Sequence, residues 1–222
     1  GRCDPVPVVD AQQLADMCDV IVECVPKAAF RYIAEPALIA GRTFITVSGA
    51  GLLIHPDVVD IARSNGAQII LATGALLGLD AVRAAAEGEI HEVTMITRKP
   101  PYSLAGAPHL AENDISIDNL DAPLKVFEGT AREGAAGFPA NVNVAAALGL
   151  AGIGPDRTML QIWADPALDR NTHRIEVEAD SAWLSFSIEN VPSEENPGTG
   201  KITALSVIAT LRGLTTPLRV GT

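Results

Sequence analysis

The sequence predicts an α/β protein in two parts: a doubly wound parallel sheet, then an α+β region whose sheet is largely antiparallel. Two observations carry this. Up to about residue 74, short apolar runs alternate with helical stretches, the rhythm of strand–helix–strand units feeding a parallel sheet. From about residue 91 the runs become alternations of polar and apolar residues, as strands with one wet face produce.

In order, residues 10–18 read as a short helix with Asp10 as N-cap. Asp19-Val20-Ile21-Val22-Glu23-Cys24 is a nearly continuous apolar run, read as a strand buried on both faces. Pro26 opens a helix to Ile39, closed by Gly41. Thr43–Val47 is the next strand, Ser48-Gly49-Ala50-Gly51 a turn, and 56–65 a helix closed by Gly66. Gln68–Ala72 is a third strand, followed by Thr73-Gly74-Ala75 and a helix over about 78–87. In such sheets ligands bind beyond the carboxyl ends of the strands. That puts Val25-Pro26, Ser48-Gly49 and Thr73-Gly74-Ala75 on one rim.

A dinucleotide-binding sheet normally opens with a strand and a G-x-G-x-x-G turn. This chain opens with Gly1-Arg2-Cys3-Asp4-Pro5, and its Gly74-x-x-x-Gly78 and Gly149-x-x-Gly152-x-Gly154 do not match. The first β-α-β segment is therefore expected to be missing. Further on, His91–Arg98 alternates as a strand ended by Lys99-Pro100-Pro101, and 101–122 reads as a loop. Val126–Gly129 is a short strand before a helix at 130–137. Asn141 and Asn143 open a small-residue helix running from Val144 to Gly152. Thr158–Ala164, residues 171–179 and 182–188 are strands, the last two joined by a tight turn at Asp180-Ser181. A polar loop over 189–200 precedes a helix from Ile202 to Arg212, which could return to the first part.

Composition narrows the classes of function. Of 222 residues, 48% are hydrophobic and 19% charged, a globular balance. No apolar run approaches the roughly 20 residues of a membrane helix, and nothing resembles a signal peptide. A net charge of −11 argues against nucleic acid as a partner. Cys3, Cys18 and Cys24 form neither a disulfide framework nor a zinc pattern, which suggests a reducing cytoplasm.

One stretch points to chemistry. In Asp169-Arg170-Asn171-Thr172-His173-Arg174-Ile175-Glu176-Val177, His173 shares strand parity with Ile175, Val177 and Ala179. It stands at the mouth of a strand on the apolar face, half enclosed, where an imidazole titrating near neutrality suits proton transfer. A core histidine bonded to backbone would show the same pattern.

The chain resembles the L-aspartate dehydrogenases, over nearly its whole length. The marks are Asp19-Val20-Ile21-Val22-Glu23-Cys24, Thr73-Gly74-Ala75-Leu76-Leu77-Gly78-Leu79-Asp80-Ala81 and Phe138-Pro139-Ala140-Asn141-Val142-Asn143-Val144. To these are added Ala164-Asp165-Pro166, Arg170-Asn171-Thr172-His173, and Glu189-Asn190-Val191-Pro192 through Leu205-Ser206. The resemblance implies a Rossmann-type domain, here residues 1–74 with about 201–222, and an α+β catalytic domain, residues 75–200. It implies NAD(P)-dependent oxidative deamination of L-aspartate to iminosuccinate or oxaloacetate and ammonia, feeding NAD biosynthesis in the cytoplasm. His173 is then the catalytic acid/base, and Ala75 and Asn143 contact the NAD or NADP. Arg170, Arg174 and Lys201 are candidate partners for substrate carboxylates; relatives often have a basic residue where this chain has Gly198. No metal is implied, and an exposed antiparallel sheet suggests a homodimer. The alternatives are a dehydrogenase of another amino acid or imine, or a non-catalytic protein that binds a dicarboxylate or a partner.

Overall fold

The computed structural model describes residues 6–138, 142–195 and 199–221; the readings placed on Cys3, Asn141 and Gly198 fall outside them. By contact the chain divides into two units, Gly1–Leu71 and Ala72–Thr222.

In the first unit, α1 spans Ala11–Met17 and is capped as predicted. Asp10 accepts the Gln13 N–H at 2.8 Å and Gln13 accepts the Asp10 N–H at 3.3 Å, a reciprocal cap that typically adds about 1 kcal/mol. β1 is Val20–Glu23. A 3-10 turn at Lys27–Ala29 leads into α2, Phe30–Ile39. β2 is Thr43–Thr46, α3 Gly49–Ile54, α4 Val58–Asn65 and β3 Gln68–Leu71. The strands run parallel in the order β1-β2-β3. Phe30, Leu38, Phe44 and Val58 are fully buried in one core, with Phe30 edge-on to Phe44 at 6.0 Å between ring centres.

Two details differ from the sequence reading. Ser48–Gly51 is not a plain turn: α3 begins at Gly49. Packing selects it, because Gly51 lies against the Phe30 ring, where a Cβ would stand 2.7 Å from ring carbons. β1 is not buried on both faces either. It is an edge strand in this sheet, with Val22 39% exposed and Glu23 fully buried.

The second unit contains α5 (Leu79–Ala85), β4 (Ile90–Lys99), α6 (Pro108–Glu112), β5 (Leu124–Thr130), α7 (Ala131–Gly137) and α8 (Asn143–Ala151). β6 (Thr158–Ala164), β7 (Thr172–Ala179), β8 (Trp183–Glu189) and α9 (Lys201–Gly213) follow. The expected loop after β4 is partly helical: a 3-10 turn at Pro101–Ser103, then α6. The ring of His109 on α6 lies 5.2 Å from Phe127 and 5.3 Å from Phe138.

Strand order is β5-β6-β4-β7-β8. Only β4–β6 is parallel; the other three pairings are antiparallel, as expected of a largely antiparallel sheet. One face is covered by α7 and α8. Val93 and Met95 of β4, Leu160 and Ile162 of β6, and Ile175 and Val177 of β7 are buried there, in register from strand to strand. The other face is polar, with the Arg98 guanidinium 5.2 Å from the Trp163 ring centre and Arg174 paired to Glu176 at 2.7 Å. At the start of α5, Gly78 has φ +72°, and a Cβ there would meet the Phe186 ring at 2.8 Å, so this turn requires glycine.

Candidate active site

Directly paired strand residues point to the same face. The register therefore stacks two rows across β4, β7 and β8 on the covered face. The first is Thr97, His173 and Ile188. One step further along, the Arg98–Thr172 pairing puts Lys99 opposite Asn171, and the Asn190 N–H donates to the Asn171 carbonyl at 2.9 Å just beyond β8. Apolar alternation thus continues into a polar corner where the sheet ends.

His173 lies where its parity predicted, with 3% of its surface exposed. Its Nδ1 is 3.1 Å from Thr97 Oγ1, so Nε2 is the nitrogen left to exchange a proton. Burial, and secondarily the Lys99 charge, push its pKa down from 6.5 to about 3. The ring is therefore neutral at neutral pH and does not titrate near it, unlike the free imidazole assumed from sequence. Lys99 is 4% exposed, and burial lowers its pKa from 10.5 to about 8. Sequence reading passed over Lys99 because it stands against Pro100-Pro101. The signal was nevertheless present: Lys99 has the parity of Val93, Met95 and Thr97.

The structure ties Ala75 to this corner. Asn190 Nδ2 donates to the Ala75 carbonyl at 3.2 Å, and the Gly74 N–H donates to Ser206 Oγ on α9 at 3.1 Å. The Gly74-Ala75 turn is thereby held from two sides, with Gly74 at φ +63°. Asn143 is on another element, the first residue of α8, and is exposed. The three candidate cations separate. Arg170 lines a small pocket with Tyr102, Ser103, Asn171, Asn190 and Gly200, and pairs with Asp169 at 2.7 Å. Arg174 is on the opposite sheet face, and Lys201 pairs with Glu194 at 2.9 Å.

In the first unit, the carboxyl end of β1 carries a network that sequence did not single out. Glu23 Oε1 accepts the Val25 N–H at 2.8 Å and the Ser48 hydroxyl at 3.1 Å, and Oε2 accepts from Thr46. The Ser48 N–H donates to Thr46 Oγ1 at 2.8 Å. One buried carboxylate thus fixes the ends of β1 and β2, the rim at which parallel sheets bind ligands. Among the described residues no group of His, Cys, Asp and Glu could hold a metal ion.

A parallel α/β unit is followed along the chain by a mixed sheet with a buried histidine at its mouth. The model of the family described as "Aspartate dehydrogenase, C-terminal" matches residues 80–214. The L-aspartate dehydrogenase of Bradyrhizobium diazoefficiens is 60% identical over all of this chain and 79% of its own length. L-aspartate dehydrogenase 3 of Bordetella bronchiseptica is 55% identical over 98% of this chain and 80% of its own. The crystal structure of aspartate dehydrogenase from Thermotoga maritima matches with a TM-score of 0.78 and 26% identity, over all of this chain and 83% of that one. The chain belongs to the L-aspartate dehydrogenase family, as the motifs suggested, and is an oxidoreductase of the dehydrogenase type. Such an enzyme implies a pyridine nucleotide cofactor and a small-molecule substrate. No helix among the described residues is long and apolar enough to cross a membrane.

Proposed function

We propose that the protein catalyses NAD(P)-dependent oxidative deamination of L-aspartate, with His173 as the acid/base. The observation that carries this is the buried, neutral imidazole beside Thr97 and Lys99, on the strand end tied through Asn190 to the Ala75 turn. The residues present fit a nicotinamide. The Gly74-Ala75 backbone is prefixed by Ser206 and Asn190, so a flat ring can lie against it without ordering a loop first. Ala75 would adjoin the ring and Asn143 would offer its amide to the same half of the cofactor. When bound, the nicotinamide supplies the acceptor for the hydride from the substrate's α-carbon.

The remaining work falls to side chains. Neutral His173 takes a proton at Nε2 from the water that attacks the imine carbon, then returns it to the departing amine. Lys99 and Arg170 face the two carboxylates. A carboxylate beside Lys99 offsets the charge that lowers the His173 pKa, so substrate binding brings the imidazole nearer to titration. On this reading residues 1–74 and about 201–222 serve the cofactor and 75–200 the substrate, NAD or NADP is used, and the activity supplies NAD biosynthesis in the cytoplasm.

The test is a substrate screen followed by cofactor absorbance. Aspartate is expected to give the highest kcat/KM with NAD or NADP; a higher value with another amino acid overturns the assignment. The same reading takes the protein as a homodimer through the uncovered polar face of the second sheet. Sedimentation at micromolar concentration is expected to show the dimer mass, and a monomer overturns that part.

A further inference from the structure

Glu23 is a buried carboxylate that the proton transfer at His173 does not use. Among the described residues of the first unit, the buried polar side chains are Glu23, Thr46 and Ser48, and they form one network. Glu23 is fully buried, yet its partners are neutral donors: the Val25 N–H and the hydroxyls of Ser48 and Thr46. Valine or isoleucine would fill such a strand position at lower cost, because a buried charge gives up its hydration. Ser48 makes a similar sacrifice. It is the N-cap of α3, but its hydroxyl donates to Glu23 and caps no helix amide. The network gathers at the carboxyl ends of β1 and β2, with Val25 two residues past Glu23 and Ser48 two past Thr46. Stability is thus given up for a fixed backbone at that rim.

We infer that Glu23 is a positioning residue for the cofactor: it presets the backbone of residues 24–26 and 46–48 as the rim that receives the nicotinamide nucleotide half. This rests on the reading of the protein as an NAD(P)-dependent dehydrogenase. Doubly wound dinucleotide folds are built from two mononucleotide-binding halves, and a glycine-rich first turn serves the pyrophosphate. Here the turn from β1 into the next helical segment is Cys24-Val25-Pro26-Lys27, which has no glycine. Its Val25 amide is already taken by Glu23, so the turn is not an amide cradle for a phosphate. Cys24 and Pro26 are exposed. Desolvation, and secondarily the Glu23 charge, push the Cys24 thiol pKa up, which keeps the sulfur uncharged at neutral pH. The rim therefore presents an uncharged edge whose polar groups are bound inward, and a ring and ribose can settle on it without first ordering a loop.

The experiment titrates the full chain by calorimetry with the two halves of the cofactor, reduced nicotinamide mononucleotide and ADP-ribose. Glu23→Ala is expected to weaken binding of the mononucleotide at least tenfold and to leave ADP-ribose affinity unchanged. Glu23→Gln, whose amide oxygen still accepts the Val25 N–H, is expected to stay within threefold of wild type for both. Ser48→Ala removes one contact and leaves Glu23 bonded to Thr46 and Val25; it is expected to weaken the mononucleotide alone, with an unchanged melting temperature. That variant carries the test if Glu23→Ala does not fold. Failure of the wild type to bind the mononucleotide at millimolar concentration overturns the proposal, as does equal weakening of both halves. A loss in Glu23→Gln as large as that in Glu23→Ala also overturns it, because the charge and not the position would then matter. Selective loss of the mononucleotide in a protein that oxidises no amino acid would instead overturn the dehydrogenase reading and leave the rim standing.

Discussion

His173→Ala is expected to lower turnover by roughly 10²–10⁴-fold, the usual contribution of a positioned acid/base, with little change in the dissociation constant of the cofactor. The imidazole is held by Thr97 and enclosed by the sheet face, and the register brings no other imidazole to its row. A turnover within threefold of wild type removes the assigned role. The same residue has a stability signature of definite sign. Folded His173 has a pKa of about 3 against 6.5 unfolded, so between those values the unfolded chain binds a proton that the folded chain refuses. Its contribution to stability is thus fully present above pH 6.5 and is lost as pH falls toward 3. Thermal melts of His173→Gln are expected to decline less steeply than wild type over that window; parallel curves would show that the ring is not held neutral by the fold.

Lys99→Met is expected to have opposite effects on stability and activity. Burial alone accounts for the fall in the Lys99 pKa from 10.5 to about 8. Between those values the unfolded chain is protonated and the folded one is not, so the destabilisation is fully present below pH 8 and disappears as pH rises through 10.5. Near neutrality this amounts to about 3 kcal/mol. A methionine of similar length keeps the packing and removes the charge, and should raise the free energy of unfolding at pH 7 by about 1–3 kcal/mol. The same change removes a carboxylate partner, so kcat/KM for aspartate should fall at least tenfold. It also removes the second cause of the low His173 pKa, so that pKa should rise. A variant both less stable and fully active would show that Lys99 serves packing alone.

Much of this was legible along the chain because it depends on local patterns. The Asp10 cap, the left-handed glycines at 41 and 66, and the alternation in β4, β6 and β7 each follow from rules spanning a few residues. Parity alone placed His173 on the covered face, and motif order pointed to the family. The misreadings share a cause. Gly49–Gly51 became helical because the Phe30 ring, some twenty residues away in sequence, fits against Gly51. Glu23 inside an apolar run is tolerated because Thr46 at the end of the next strand, Ser48 just beyond it and the Val25 N–H satisfy it.

The sequence by itself determined most of the elements and the sheet face that His173 occupies, though not α3, α6 or the exposed side of β1, since periodicity and capping are properties of neighbouring residues. Only the tertiary structure decided that Lys99 lies buried by His173, that Asn171 and Asn190 pair at the same sheet end, that the imidazole is held neutral, and that two amide oxygens have no donor among the described residues. Each of those depends on strand register and on the exclusion of water, and a dielectric environment or an unmet hydrogen bond exists only once distant segments have closed around the same point.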